Sequence, residues 1–207
     1  MADNDSGDRD GRLILVRHGE TEWSRTGRHT GRSDIPLTEH GERQARALTR
    51  QLERLTFQRV LVSPRERSWR TAELAGITDF TVDEDLAEWD YGAYEGLTRD
   101  EIRTQDPQWT IWTGTPPGGE SKDQVSARAE RVLRRLEPEL RRGDVLVVSH
   151  GHFGRVLAIA WLQFPVSAAA ALHMEPAAVC VLGDDRGQPV ILNWNMPNPA
   201  NERAESE

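Results

Sequence analysis

The chain has 207 residues, 37% of them hydrophobic and 29% charged, and a net charge of −8. That length suffices for one domain able to hide roughly 70% of the surface its unfolded chain exposes. No stretch approaches the ~20 consecutive apolar residues of a membrane span, and the acidic balance argues against a nucleic-acid-binding surface, which needs a basic patch or stripe.

The start, MADNDSGDRD, is acidic and lacks the apolar segment of a secretory signal. The lone cysteine, Cys180, can form no internal disulfide and lies in the apolar run AAVCVLG, where a small buried strand residue is expected. A cytoplasmic location follows as the expectation. Residues 1–10 and 196–207 are too polar to offset their ordering entropy and are expected to be flexible tails around a single domain at 11–195.

The first apolar run, LILV at 13–16, suits a strand buried on both faces, and it gives out at Arg17 and His18. Between Leu37 and Thr56, Ala45, Leu48, Leu52 and Leu55 fall at helical spacing behind a Thr38 cap. A second strand, RVLVS at 59–63, ends at Ser63, which is suited to cap a helix with Pro64 at its first position and Glu66 three residues on, putting Arg67 in the first turn.

Farther along, Asp83, Glu84 and Asp85 suit a solvated turn. Thr98 and Glu101 form a capping box for a short helix, which gives way to a segment rich in Pro and Gly, up to Gly119, expected to rim a pocket. Ser121 and Gln124 open an amphipathic helix marked by Val125, Ala129, Val132, Leu136 and Leu140, with Pro138 disturbing its last turns. A third strand, DVLVVS at 144–149, runs into His150 and an apolar helix, and VCVLG and VILNW supply two more strands. Strands alternating with helices predict an α/β fold.

Three strand ends therefore offer Arg17 with His18, Arg67, and His150 at one edge, where open α/β sheets bind ligands. Two imidazoles, two guanidiniums and helix N-termini make an anion site holding a nucleophile. A neutral imidazole can attack phosphorus, guanidinium forks can clamp the phosphoryl oxygens, and a carboxylic acid with a pKa raised by partial burial can protonate the leaving alkoxide.

The residues LVRHGETEWS, TGRSDIPLTEHGERQA, SPRERSWRTA, LAEWDYGAYEGLT, PPGGES and VVSHGHFGR, in this order, resemble the motifs of the histidine phosphatase superfamily, the phosphoglycerate mutase-like proteins, over about residues 12–194. The likeness is nearest to a bacterial acid-phosphatase-like and sedoheptulose-bisphosphatase-like subgroup. It implies a three-layer α/β/α sandwich whose mostly parallel sheet has one antiparallel strand. It implies His18 as the phosphorylated nucleophile, Arg17, Arg67 and His150 as the phosphate pocket, and Glu88 as the general acid and base. Ser24, Thr30, Gly31, Tyr91 and Gly151 match positions that line the pocket or touch substrate. Ser24 stands where many members have asparagine.

The resemblance implies a small phosphorylated substrate and no cofactor or metal, with the protein a monomer or homodimer. Mutases of this family resemble longer chains with basic residues inserted after the glutamate motif; here residues 98–121 have no adjacent arginine pair, so water is expected to take the phosphoryl group. Two other readings compete with hydrolysis and mutase chemistry. A non-catalytic binder of phosphorylated ligands is disfavoured because His18 and Glu88 are both present. A metal site built from His150, His152 and Glu88 or Asp90 is disfavoured by the arginines crowded beside it.

Overall fold

A computed structural model describes residues 11–201. In chain order the elements are β1 (Leu13–Arg17), α1 (Glu22–Arg25), α2 (Glu39–Ala47), α3 (Thr49–Leu52), β2 (Arg59–Val62), α4 (Glu66–Leu74), β3 (Thr81–Val82), α5 (Arg99–Arg103), α6 (Lys122–Leu140), β4 (Val145–Ser149), α7 (Gly151–Trp161), β5 (Val179–Asp185) and β6 (Gln188–Met196). The strands form one sheet in the order β3-β2-β4-β1-β5-β6. β1, β2, β3 and β4 run parallel, and β5 alone runs against the rest.

Alternation along the central strands creates the layers. Leu13, Leu15, Val145 and Val147 enter one core with Val125, Val132, Leu136, Phe153 and Leu157 of α6 and α7. Ile14, Val16, Leu146 and Val148 enter the other with Leu48, Leu52, Ala72 and Ala75. Successive strand side chains point to opposite faces, so continuous apolar runs need cover on both sides, and the three-layer sandwich supplies it. Cys180 sits fully buried on β5, and burial pushes its thiol up to about 12, which makes it a packing residue.

Several local expectations are corrected. The helix expected over 37–56 divides into α2 and α3 at Leu48. Asn198 Nδ2 donates to the carbonyl of Gln44 (3.0 Å), and the Leu48 N–H turns instead to Ala45 O (3.2 Å), so an inserted side chain interrupts the i→i−4 ladder. The flexible tail expected from residue 196 is docked as far as Asn201, with Asn198 buried and Asn201 accepting from Gln44 Nε2; residues 1–10 and 202–207 lie outside the described residues.

Ser63 does not cap α4, which begins later, at Glu66 rather than Pro64, and takes its N-terminal bond from the distant Asp34, whose Oδ1 accepts from Glu66 N (2.9 Å). Asp83 and Asp85 are not simply solvated: both pair with Arg135 on α6, and Asp85 also with Arg131. α6 stays helical through Pro138 to Leu140. The capping boxes at Thr98–Glu101 and Ser121–Gln124 both form.

Candidate active site

The sheet register builds the centre of the site. Arg17 pairs with Ser149 on the neighbouring parallel strand, so the next residue on each, His18 and His150, leaves the sheet at the same level. Their ring centroids are 5.2 Å apart with planes inclined at 66°. β2 flanks β4 on its other side and ends next to Ser63, whose Oγ lies 2.6 Å from His150 Nε2. Arg67 follows in the first turn of α4, fully buried.

Protonation is set by burial. His18 is 5% exposed, and desolvation, followed by the fields of Arg67 and Arg17, holds its pKa well below 6.5. Its neutral ring places Nδ1 2.7 Å from the carbonyl of Gly19, which can only accept, so Nδ1 carries the proton and Nε2 keeps a free lone pair. His150 is also held well below 6.5, by burial first and then by Arg67 and His18. His150 Nε2 lies 2.6 Å from the Ser63 hydroxyl, and Nδ1 is a buried atom with no hydrogen-bond partner; a hydroxyl that donates to Nε2 puts the ring proton on Nδ1.

The arginines show the same pattern. Arg17 gives Nη1 to the carbonyl of Met174 and lies flat against Gly151, where an added Cβ would sit 3.2 Å from both its Cζ and Nε. Arg67 is fixed by the carbonyls of Ser33 (2.8 Å), Thr30 (3.0 Å) and Gly31 (3.2 Å). The Nε atoms of both are buried without partners. Two unpartnered guanidinium N–H groups, on Arg17 and Arg67, and the unpartnered Nδ1 of His150 thus gather around His18, and buried donors without acceptors are rare enough to mark a place for an anion. Arg67 and His150 lie beneath the surface, whereas Arg17, His18 and Glu88 line a cavity of about 170 Å³.

Glu88 is 8% exposed and held by three backbone N–H groups: Trp89 (2.8 Å) and Phe153 (2.8 Å) donate to Oε1, and His152 (3.0 Å) donates to Oε2. Two of these donors belong to the first turn of α7, where unpaired amides and the helix dipole attract a carboxylate. One small cavity thus brings an uncommitted imidazole nitrogen and a carboxyl group together.

The remaining predicted residues divide. Tyr91 is buried, its phenol pushed well above 10 by burial and then Glu88, and its hydroxyl lies 2.6 Å from Nδ1 of the neutral His152. Thr30 and Gly151 line the cavity. Gly31 does not: its amide donates to Glu95, its carbonyl supports Arg67, and an added Cβ would meet Trp89 O at 2.6 Å. Ser24 lines the cavity, but its hydroxyl is engaged in the cap of α1, donating to Thr21 O (3.0 Å) and accepting from Thr21 N (2.9 Å).

A model of the histidine phosphatase superfamily (branch 1) matches residues 13–197. The chain belongs to the histidine phosphatase superfamily. This histidine phosphatase is 43% identical to an acid phosphatase of Mycobacterium tuberculosis, over 87% of this chain and 90% of that one. It is 35% identical to sedoheptulose 1,7-bisphosphatase of Saccharomyces cerevisiae, over 75% and 69%. Among solved structures, one from Mycobacterium tuberculosis superposes with a TM-score of 0.89 at 41% identity, covering 92% of this chain and all of that one. A mycobacterial glucosyl-3-phosphoglycerate phosphatase complexed with VO3 gives 0.81 at 31%, covering 90% and 100%.

The histidine phosphatase site includes residues the motifs alone did not single out. Thr71 Oγ1 accepts from Gly19 N (3.0 Å) and donates to Arg67 O (2.6 Å), tying the loop after β1 to α4. Arg155 donates to the carbonyls of Ala169 and Ala170 and lies 4.4 Å over the Trp112 ring. With His29 and His152, Arg155 lines both the small cavity and an adjoining one of about 550 Å³ walled by Trp109, Ile111 and Trp112. Arg155 stands within the quoted motif VVSHGHFGR; only its distance from the strand end hid it.

Proposed function

We propose that this histidine phosphatase hydrolyses small phosphomonoesters through a phosphohistidine at His18. The lone pair of Nε2 attacks phosphorus, the ester P–O bond breaks, and the leaving oxygen takes a proton from Glu88. Water then attacks the phosphohistidine and gives a proton back to the Glu88 carboxylate, the P–N bond breaks with its pair returning to Nε2, and inorganic phosphate leaves. Arg17, Arg67 and His150 supply fixed donors to the phosphoryl oxygens as their charge spreads. The observation that carries the reading is the neutral His18 ring, with Nδ1 tied to Gly19 O and Nε2 free among three unpartnered nitrogens of Arg17, Arg67 and His150.

The small cavity suits a phosphoryl group, and the adjoining compartment under Trp109 and Trp112 suits the organic remainder. The short segment between Glu88 and Ser121, without an adjacent arginine pair, supports release to water over retention of a bisphosphorylated intermediate. The test is phosphate release from a panel of sugar phosphates, phosphoglycerates and p-nitrophenyl phosphate in EDTA. His18→Ala should lower turnover by on the order of 10³-fold or more; full activity in that variant, or binding across the panel with no release, would refute the proposal.

A further inference from the structure

Arg128, in the second turn of α6, spends all five of its N–H donors. Nε and Nη2 form a bidentate pair with the Glu120 carboxylate (2.9 and 2.6 Å). Nη1 donates to the carbonyls of Asp85 (2.9 Å) and Ala87 (2.6 Å), and Nη2 also to that of Glu88 (3.4 Å). Its guanidinium carbon lies 4.2 Å over the ring of Phe153, the residue whose N–H donates to Glu88 Oε1.

Glu120 closes the arrangement: its carbonyl accepts from Trp89 Nε1 (2.7 Å), and its N–H donates to Asp90 O (2.9 Å). The segment 85–90 has no regular hydrogen bonding at Glu88 itself, lying beyond the 3-10 turn Glu84–Leu86. Leu86 O accepts from Ser149 Oγ (2.8 Å) and Asp90 O from Glu120 N, and one saturated cation fixes the three carbonyls of Asp85, Ala87 and Glu88. Arg128 is 8% exposed, and a buried guanidinium with a carboxylate partner and full hydrogen bonding is a rigid support rather than a surface ion pair.

We infer that Arg128 is a positioning residue that sets the Glu88 carboxyl group at the leaving oxygen. The clamp holds the Glu88 backbone from α6 while the first turn of α7 holds its side chain, so the carboxyl is fixed from both ends. The inference rests on the reading of Glu88 as the proton donor, and the experiment separates the two. A general acid matters for a leaving group that needs a proton and is dispensable for one that departs as a stable anion.

The measurement is kcat/KM for substituted phenyl phosphates, from phenyl phosphate to 2,4-dinitrophenyl phosphate, with wild type, Glu88→Gln, Arg128→Lys and Arg128→Met. The Arg128 variants should lose roughly 10- to 100-fold on phenyl phosphate, the scale of a small misplacement, and little on the dinitrophenyl ester. Glu88→Gln should show the same tilt, more steeply. A tilt in Glu88→Gln with equal loss, or none, across the series in Arg128→Lys and Arg128→Met overturns the role of Arg128 alone. A flat series in Glu88→Gln overturns the acid reading and the inference with it. If Arg128→Met does not fold, Arg128→Lys and Glu120→Gln carry the same comparison; failure of all three to fold assigns Arg128 to stability and overturns the inference.

Discussion

His150 keeps Nδ1 unpartnered while Ser63 occupies its other nitrogen. The sequence made His18, Arg17, Arg67 and His150 legible as residues at strand ends, where apolar runs stop at groups that would be costly to bury without purpose. It did not make Ser63 legible, since Ser-Pro before a helix satisfies the rules of a cap equally well, and only the neighbouring strand reveals its partner. Ser63→Ala leaves a buried imidazole nitrogen unsatisfied, a cost of about 1–3 kcal/mol, and frees the His150 tautomer. The expected outcome is a loss of roughly tenfold in kcat/KM with the fold retained; an unchanged value would show that Ser63 does not orient His150.

Elements were read well where local pattern decides them. Five of the six strands and the amphipathic helix behind Ser121 follow from apolar periodicity and capping, and the paired faces of β1 and β4 follow from strand alternation. Misreadings came where a distant residue intervenes: Asn198 interrupts the helix at Gln44, Asp34 receives the first amide of α4, and Arg131 and Arg135 gather an acidic turn. The two-residue β3 is too short to show a period. Asn198 Nδ2 also donates to Ala177 O (3.1 Å), so Asn198→Ala strips two buried carbonyls of a donor. It should cost about 1–3 kcal/mol, or several degrees of Tm, with kcat little changed. An unaltered Tm in a thermal melt would show that the docked end contributes nothing.

For the whole molecule, a net charge of −8 contrasts with a cavity lined by Arg17, Arg28 and Arg155, where Glu88 is the one carboxylate among the described residues. Composition alone could state only that a cationic pocket must be local. Burial first, then the fields of Arg67 and Arg17 at His18, of Arg67 at His150 and of Arg155 at His152, keeps these three rings neutral, and this has a consequence for stability. In the unfolded chain these rings titrate near 6.5; in the folded protein they stay neutral to lower pH. Below that point the unfolded state binds more protons, so stability falls as pH drops and is unaffected by these groups above it. The slope should approach about 1.4 kcal/mol per pH unit for each such histidine, summed over three rings. Denaturant unfolding from pH 8 to 5 measures it; equal stability at pH 5 and pH 7 would contradict the neutral assignment.

The central claim is that His18 Nε2 accepts the phosphoryl group. Rapid acid-free quenching of the enzyme during turnover of a ³²P-labelled phosphomonoester, followed by peptide mapping, addresses it directly. The account predicts one acid-labile, base-stable phosphoryl group on the peptide carrying His18, accumulating further in Glu88→Gln with an activated ester as water loses its base. Label on a different residue, or turnover in which no labelled enzyme forms at any quench time, would contradict it.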